Sequence, residues 1–174
     1  MEVTAKTLGD WATELAGRSG GKIIYDYTPG ASLGPPPEHY DIVLSGRADV
    51  TMFYPNYTAG LLPLTDVTTL PLTGSGIGEL HSKALWKLYK KGYFDDEYKD
   101  VKVLYMYLIS PHEYQMAKEP VLTFDDMKGL KIRVSGKIPT DIVKSFGSVP
   151  VGMPASEIYG AMEKGVIDGH FGHM

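Results

Sequence analysis

Apolar positions recur with a helical period in some segments of the chain and with a strand-like period in others. Leu8, Trp11, Ala12 and Leu15 share one face of a helix expected over residues 7–17, which Gly20-Gly21 closes. Leu80, Ala84, Leu85 and Leu88 do the same over residues 77–89, the clearest amphipathic stretch, and residues 139–146 read as a further helix. Short apolar or alternating runs predict strands at residues 22–27, 50–53, 101–109, 114–117, 131–134 and 149–151, and from Ile167 onward. Residues 29–37 are rich in turn formers. Residues 54–78 form a long irregular segment carrying Pro55, Pro63 and Pro71, and loops of that length usually cover or line a site. Strands that alternate with helices predict an α/β fold with mixed, largely parallel sheets.

Within this pattern the run from Gly129 to Gly169 is the most informative. Asp125, Asp126 and Lys128 lead into Gly129-Leu130, and Lys131-Ile132-Arg133-Val134 then alternates as a half-buried strand until Ser135-Gly136 breaks it. In α/β folds ligands lie at the carboxyl ends of strands, so Arg133 is a candidate for a cleft-facing side chain. Its guanidinium is a planar fork of donors that matches a carboxylate. From spacing alone a surface arginine paired to a nearby Asp or Glu is the favoured reading, because exposed arginines at strand ends are common and usually structural.

A second pattern spans the chain. Tyr40, Gly46 and Asp49 recur with the spacing of Tyr159, Gly165 and Asp168. Each copy opens a helix near a proline (Pro37 or Pro154) and a glutamate (Glu38 or Glu157), which suits the positive end of the helix dipole. Each stops at a glycine and leads into a predicted strand. The repeat is consistent with two related lobes flanking a cleft, and equally with chance recurrence of a common connection.

Composition narrows the class. At 174 residues, with 43% hydrophobic and 22% charged content, the chain is long enough to bury a core. A net charge of −4 argues against nucleic-acid binding, and the one basic cluster, between Lys83 and Lys91, reads as the solvated face of a helix. The absence of cysteine removes disulfides, thiol nucleophiles and thiolate metal sites. Residues 1–6 do not read as a secretory leader and no window is long and apolar enough for a membrane span, so the expectation is a cytosolic chain or a trimmed form of an exported one.

Four blocks, GGKIIYDYTPGASLGPPPEHYDIVLSGRADV, YTAGLLPLTDVTTLP, PVLTFDDMKGLKIRVSG and VPVGMPASEIYGAMEKGVIDG, give the chain a resemblance to the solute-binding proteins of TRAP transporters, of the dicarboxylate-binding, DctP-like type. The resemblance implies a periplasmic-binding-protein-like fold (class II type) with two lobes, here residues 1–108 and 109–174, each incomplete relative to the family. It implies a periplasmic receptor, not an enzyme, that closes on a small organic acid and passes it to the membrane subunits of a TRAP transporter. It also implies missing edge strands, and hence self-association or the alternative of an orphan interaction module.

The resemblance assigns Arg133 the carboxylate contact and places His112 near a second cationic position. Ala155 stands where sialic-acid-binding members often carry Phe, and Gly172 near where they place Asn in D-G-Q-E-N; this chain reads DGHFGHM, so the acid stays unidentified. Tyr54, Tyr57, Met153 and Phe171 are candidate pocket walls, each following a predicted strand or lying in one, and His170 joins them beside Phe171. His170 and His173 form an H-x-x-H pair with no identifiable third ligand, so neither metal nor cofactor is expected. Glu157 and Asp168 read as helix-start and turn residues. No G-x-S-x-G elbow or phosphate loop is present.

Overall fold

The protein is described by a computed structural model covering residues 2–58, 60–70, 76–108, 112–118 and 120–173. Pro71, Gly74-Ser75 of the long irregular segment and Ile109 of a predicted strand lie outside these. The chain divides into two compact units, Met1–Met52 and Phe53–Met174. The lobe boundary expected between residues 108 and 109 falls inside the second unit.

In the first unit, α1 (Glu2–Arg18) covers the predicted helix and starts earlier. Leu8, Ala12 and Leu15 are only half-buried and Trp11 is exposed. A helical turn at Pro36–Glu38 leads into α2 (His39–Leu44), which buries Tyr40 and Ile42. Two predicted strands are absent: residues 22–27 and 50–53 carry no ladder. Their apolar content is mostly left on the surface, with Ile24 at 90% exposure. Residues with β propensity become a strand only when a neighbouring edge supplies hydrogen-bond partners, and none among the described residues does so here.

The second unit has two cores. Leu62, Leu85, Phe94 and Tyr98 form the first, with Phe53, Val101, Val103, Met106 and Leu108 packed on it. Around it lie a helical turn at Pro55–Tyr57, α3 (Pro63–Asp66) and α4 (Gly78–Lys90). The segment expected to be irregular is thus partly helical. Glu97 caps α3, its carboxylate accepting from the Leu64 and Thr65 N–H groups and from the Thr65 hydroxyl. The predicted strand at 101–109 forms no ladder over its described residues. Its alternating apolar side chains are satisfied by packing against the α4 core, and the Leu108 N–H donates to Ser82 Oγ at 2.8 Å.

The second core belongs to a four-stranded mixed sheet of order β1-β4-β2-β3, with β1 (Glu113–Met116), β2 (Lys131–Val134), β3 (Val149–Gly152) and β4 (Gly169–Gly172). β2 pairs in parallel with β3 and β4, and β1 pairs antiparallel with β4. The chain passes from β2 through α5 (Lys137–Ser145) to β3, then through α6 (Ile158–Glu163) to β4 on the other side of β2. Ile132 and Val134 are buried against Val143 of α5, with Tyr114, Met116 and Phe171 packed beside them. The fold is therefore α/β with a mixed sheet, as the hydrophobic pattern predicts.

Candidate functional site

The alternation of Lys131-Ile132-Arg133-Val134 sends Ile132 and Val134 to the α5 face and Arg133 to the other. Register then fixes its neighbours. Arg133 is opposite Val151 on β3 and His170 on β4, and His170 is opposite Gln115 on β1. Gln115, His170, Arg133 and Val151 consequently form one row across the same face of the sheet. Because β3 and β4 flank β2 on opposite sides, Arg133 and His170 stand at the point where the strand order reverses, the position at which open α/β sheets bind ligands.

Arg133 is 4% exposed. Its Nε donates to the Met153 carbonyl at 3.0 Å and its Nη2 to the Tyr57 hydroxyl at 3.4 Å. Both partners are uncharged. The ion pairs among the described residues, such as Lys83–Glu79 and Lys137–Asp141, are all on the surface, and none involves Arg133. Among the described residues, both N–H groups of Nη1 and one of Nη2 stay uncommitted. A guanidinium removed from water without a carboxylate is costly, so the arrangement favours any anion that supplies one.

The turn that delivers Tyr57 is fixed by a close backbone approach. Asn56 Nδ2 donates to Ser135 Oγ at 2.8 Å, just after β2. Gly136 has a φ of 89°, and a Cβ there would lie 2.7 Å from the Asn56 carbonyl oxygen. Only glycine meets both demands.

Three histidines surround the sheet end. His112 stacks on His173 with centroids 4.4 Å apart and on Phe171 at 5.2 Å. Burial first, and then the positive fields of His173, His170 and Arg133, lower its pKa to about 4. His170, 6% exposed, is likewise lowered, by burial and then by the charge of Arg133. Both imidazoles are thus neutral near pH 7, and Arg133 is the cation of the site.

The structure brings together Arg133, Tyr57, Met153 and His170 among the residues singled out from sequence, Met153 through its main-chain carbonyl. Tyr54 is one step removed, edge-on to Tyr57 at 6.2 Å with its hydroxyl 3.4 Å from that of Tyr107. Phe171 packs in the core with Ile132 and Val134, on the face away from Arg133, because its place in β4 is one residue out of phase with His170. His112 joins Phe171 and feels the field of Arg133 without touching it among the contacts described. Gln115 and Asn56 escaped the sequence reading. The strand period shows that Gln115 faces opposite to Tyr114, but only register reveals Arg133 in the same row. Among the described residues no cluster of His, Asp and Glu suits a metal ion, and no helix is long and apolar enough to cross a membrane.

Residues 2–172 match the DctP family, the bacterial extracellular solute-binding proteins of family 7. Among curated relatives, the 2,3-diketo-L-gulonate-binding periplasmic protein YiaO of Escherichia coli K12 is 29% identical over 97% of this chain and 51% of its own length. A marine-metagenome TRAP solute-binding protein specific for aromatic acid ligands, solved with metahydroxyphenylacetate, superposes with a TM-score of 0.88 at 30% identity, covering 96% of this chain and 52% of that one. A TRAP solute-binding protein from Rhodoferax ferrireducens T118, solved with copurified benzoate, gives a TM-score of 0.84 at 34% identity over 94% of this chain and 50% of that one. The chain spans about half the length of these relatives. The sheet order, the helices on their crossovers and the near-complete family match lead to one assignment: the chain belongs to the bacterial extracellular solute-binding protein family 7.

Proposed function

We propose that this chain takes part in capturing a small organic acid outside the cytoplasm, in the periplasm, for delivery to the membrane subunits of a TRAP-type transporter, with Arg133 as the carboxylate anchor. The observation that carries this reading is the buried guanidinium whose only partners among the described residues are a carbonyl and a phenol. The ligands named for the relatives, a diketogulonate, a hydroxyphenylacetate and a benzoate, differ in ring and chain but share a carboxylate. A fork held by Met153 and Tyr57 presents its free edge to both oxygens of such a group at once. The rest of the acid displaces water beside Tyr57 and His170, and the complex favours whichever conformer buries it.

Isothermal calorimetry with a panel of small carboxylates tests this. Arg133→Met should weaken the best-bound acid by about 2–5 kcal/mol, the range for removing one partner of a buried charge pair. The ligand-free variant should melt no lower than the parent, since it no longer buries an uncompensated charge. Unchanged affinity in the variant refutes the assignment of Arg133.

A further inference from the structure

Two buried polar atoms lie in the Arg133 row without a partner among the described residues: Nε2 of Gln115 and Nδ1 of His170. Gln115 and His170 are register partners on adjacent strands, and His170 is the register partner of Arg133. Buried amide and imidazole nitrogens are rarely left unsatisfied, and each costs free energy until a partner arrives.

Their chemistry is complementary. Nε2 of Gln115 carries only N–H groups and can only donate. The His170 ring lies over Gly172, where a Cβ would come within 2.1 Å of Cε1 and 2.4 Å of Nε2. Of the two ring nitrogens, Nδ1 is buried without a partner among the described residues. A neutral imidazole has one donor and one acceptor nitrogen, and in the tautomer with its proton on Nε2 the unpartnered Nδ1 accepts. A donor and an acceptor side by side fit a hydroxyl, which accepts from the first and donates to the second. They fit a second carboxylate or a bare hydrocarbon poorly.

We infer that Gln115 and His170, the latter with its ring proton on Nε2, form a hydroxyl-recognising pair beside Arg133, so that the acid held here is a hydroxycarboxylate whose hydroxyl lies close to its carboxylate. The inference rests on Arg133 as the carboxylate anchor and adds a specificity element to it. Gly172 is part of the device: only a residue without a side chain leaves the imidazole its place. A 2-keto acid satisfies Gln115 alone, because its carbonyl cannot donate to Nδ1.

The test is calorimetry on the chain with matched acids that differ only by the 2-substituent: lactate, pyruvate and propionate, and mandelate, phenylglyoxylate and phenylacetate. The hydroxy acid of at least one series should bind roughly tenfold or more tightly than its deoxy counterpart, with the keto acid between them. Gln115→Met should reduce the hydroxy-to-deoxy ratio to within about twofold while the deoxy acid keeps its affinity, which also shows that the variant is folded. His170→Phe should likewise reduce the hydroxy-to-deoxy ratio and should abolish the preference for hydroxy over keto acid. Equal binding of hydroxy and deoxy acids to the parent, with both lost in Arg133→Met, overturns the hydroxyl pair and leaves the anchor standing. Binding of none of the six acids overturns both.

Discussion

The helix and glycine turn of residues 36–49 and those of residues 155–168 are built alike and continue differently. Each opens with a short helical turn, Pro36–Glu38 or Ala155–Glu157, followed by α2 or α6. Each closes at a glycine in the left-handed region, Gly46 at φ 71° and Gly165 at φ 67°. Even the closing hydrogen bonds correspond: Gly46 N–H to the Val43 carbonyl at 3.0 Å and Arg47 N–H to Ile42 at 3.0 Å, against Gly165 N–H to Met162 at 3.1 Å and Val166 N–H to Ala161 at 2.8 Å. Beyond the turn they part. Asp168 accepts the Lys131 N–H on its carboxylate at 2.8 Å, donates its own N–H to the Lys131 carbonyl at 2.8 Å, and its carbonyl takes the Ala117 N–H at 2.9 Å. The chain then enters β4. After the exposed Asp49, residues 50–53 enter no ladder. A helix with its cap is a local object that a dozen residues specify, whereas a strand is made by its neighbours.

Substituting the aspartates tests this difference most strongly. Asp168→Ala should cost about 1–3 kcal/mol in chemical denaturation, because the Lys131 N–H loses a charged acceptor at the start of the central strand β2. Asp168→Asn, which keeps a carbonyl oxygen, should recover part of that loss. Asp49→Ala should stay within about 0.5 kcal/mol of the parent, as for an exposed side chain away from a special feature. Equal losses at the two positions would show that the copies are equivalent after all. The glycines give the converse control: Gly46→Ala and Gly165→Ala should each cost about 1 kcal/mol, since both carry the same positive φ and neither Cβ meets an obstacle within 4 Å. A large disparity between them would locate the difference in the turns.

The same distinction explains how much of the molecule was legible in its sequence. Helical periodicity located α1, α4 and α5 to within a few residues, and β2 was legible to the residue, because Lys131-Ile132-Arg133-Val134 alternates and lies between Gly129 and Gly136. Residues 22–27 and 101–109 have comparable apolar content and are not strands over their described residues, since pattern does not disclose whether an edge is available. For the site, spacing left Arg133 divided between a surface ion pair and a ligand contact in a cleft; the structure shows it buried with neutral partners. Phe171 was out of reach of sequence reasoning for a simple reason: adjacent residues of a strand face opposite sides, and a one-residue change of phase exchanges His170 and Phe171 between site and core. Gln115 and Asn56 are polar residues of ordinary local pattern whose importance comes from partners far away in sequence.

The smallest effect is acid-dependent and separates the two copies by the residues on their carboxyl side. Val50-Thr51-Met52-Phe53 contains no ionisable side chain, whereas Asp168 is succeeded at once by His170 and His173, with His112 stacked against the latter. Burial, and then the fields of His173, His170 and Arg133, hold His112 at a pKa of about 4, below the ordinary histidine value of 6.5. In the unfolded chain it binds a proton more readily than in the folded one. The stability associated with the neutral ring is therefore fully present above pH 6.5, declines as the pH falls toward 4, and is lost below that. Hydrogen exchange should show the amides of Gly169–Gly172 losing protection across this window, and His112→Phe should flatten the decline, leaving the smaller slope contributed by His170. Imidazole NMR titration gives the direct check. A His112 midpoint near 6.5 would mean that the ring is neither buried nor exposed to the field of Arg133, and would remove the electrostatic link between the sheet end and the anchor.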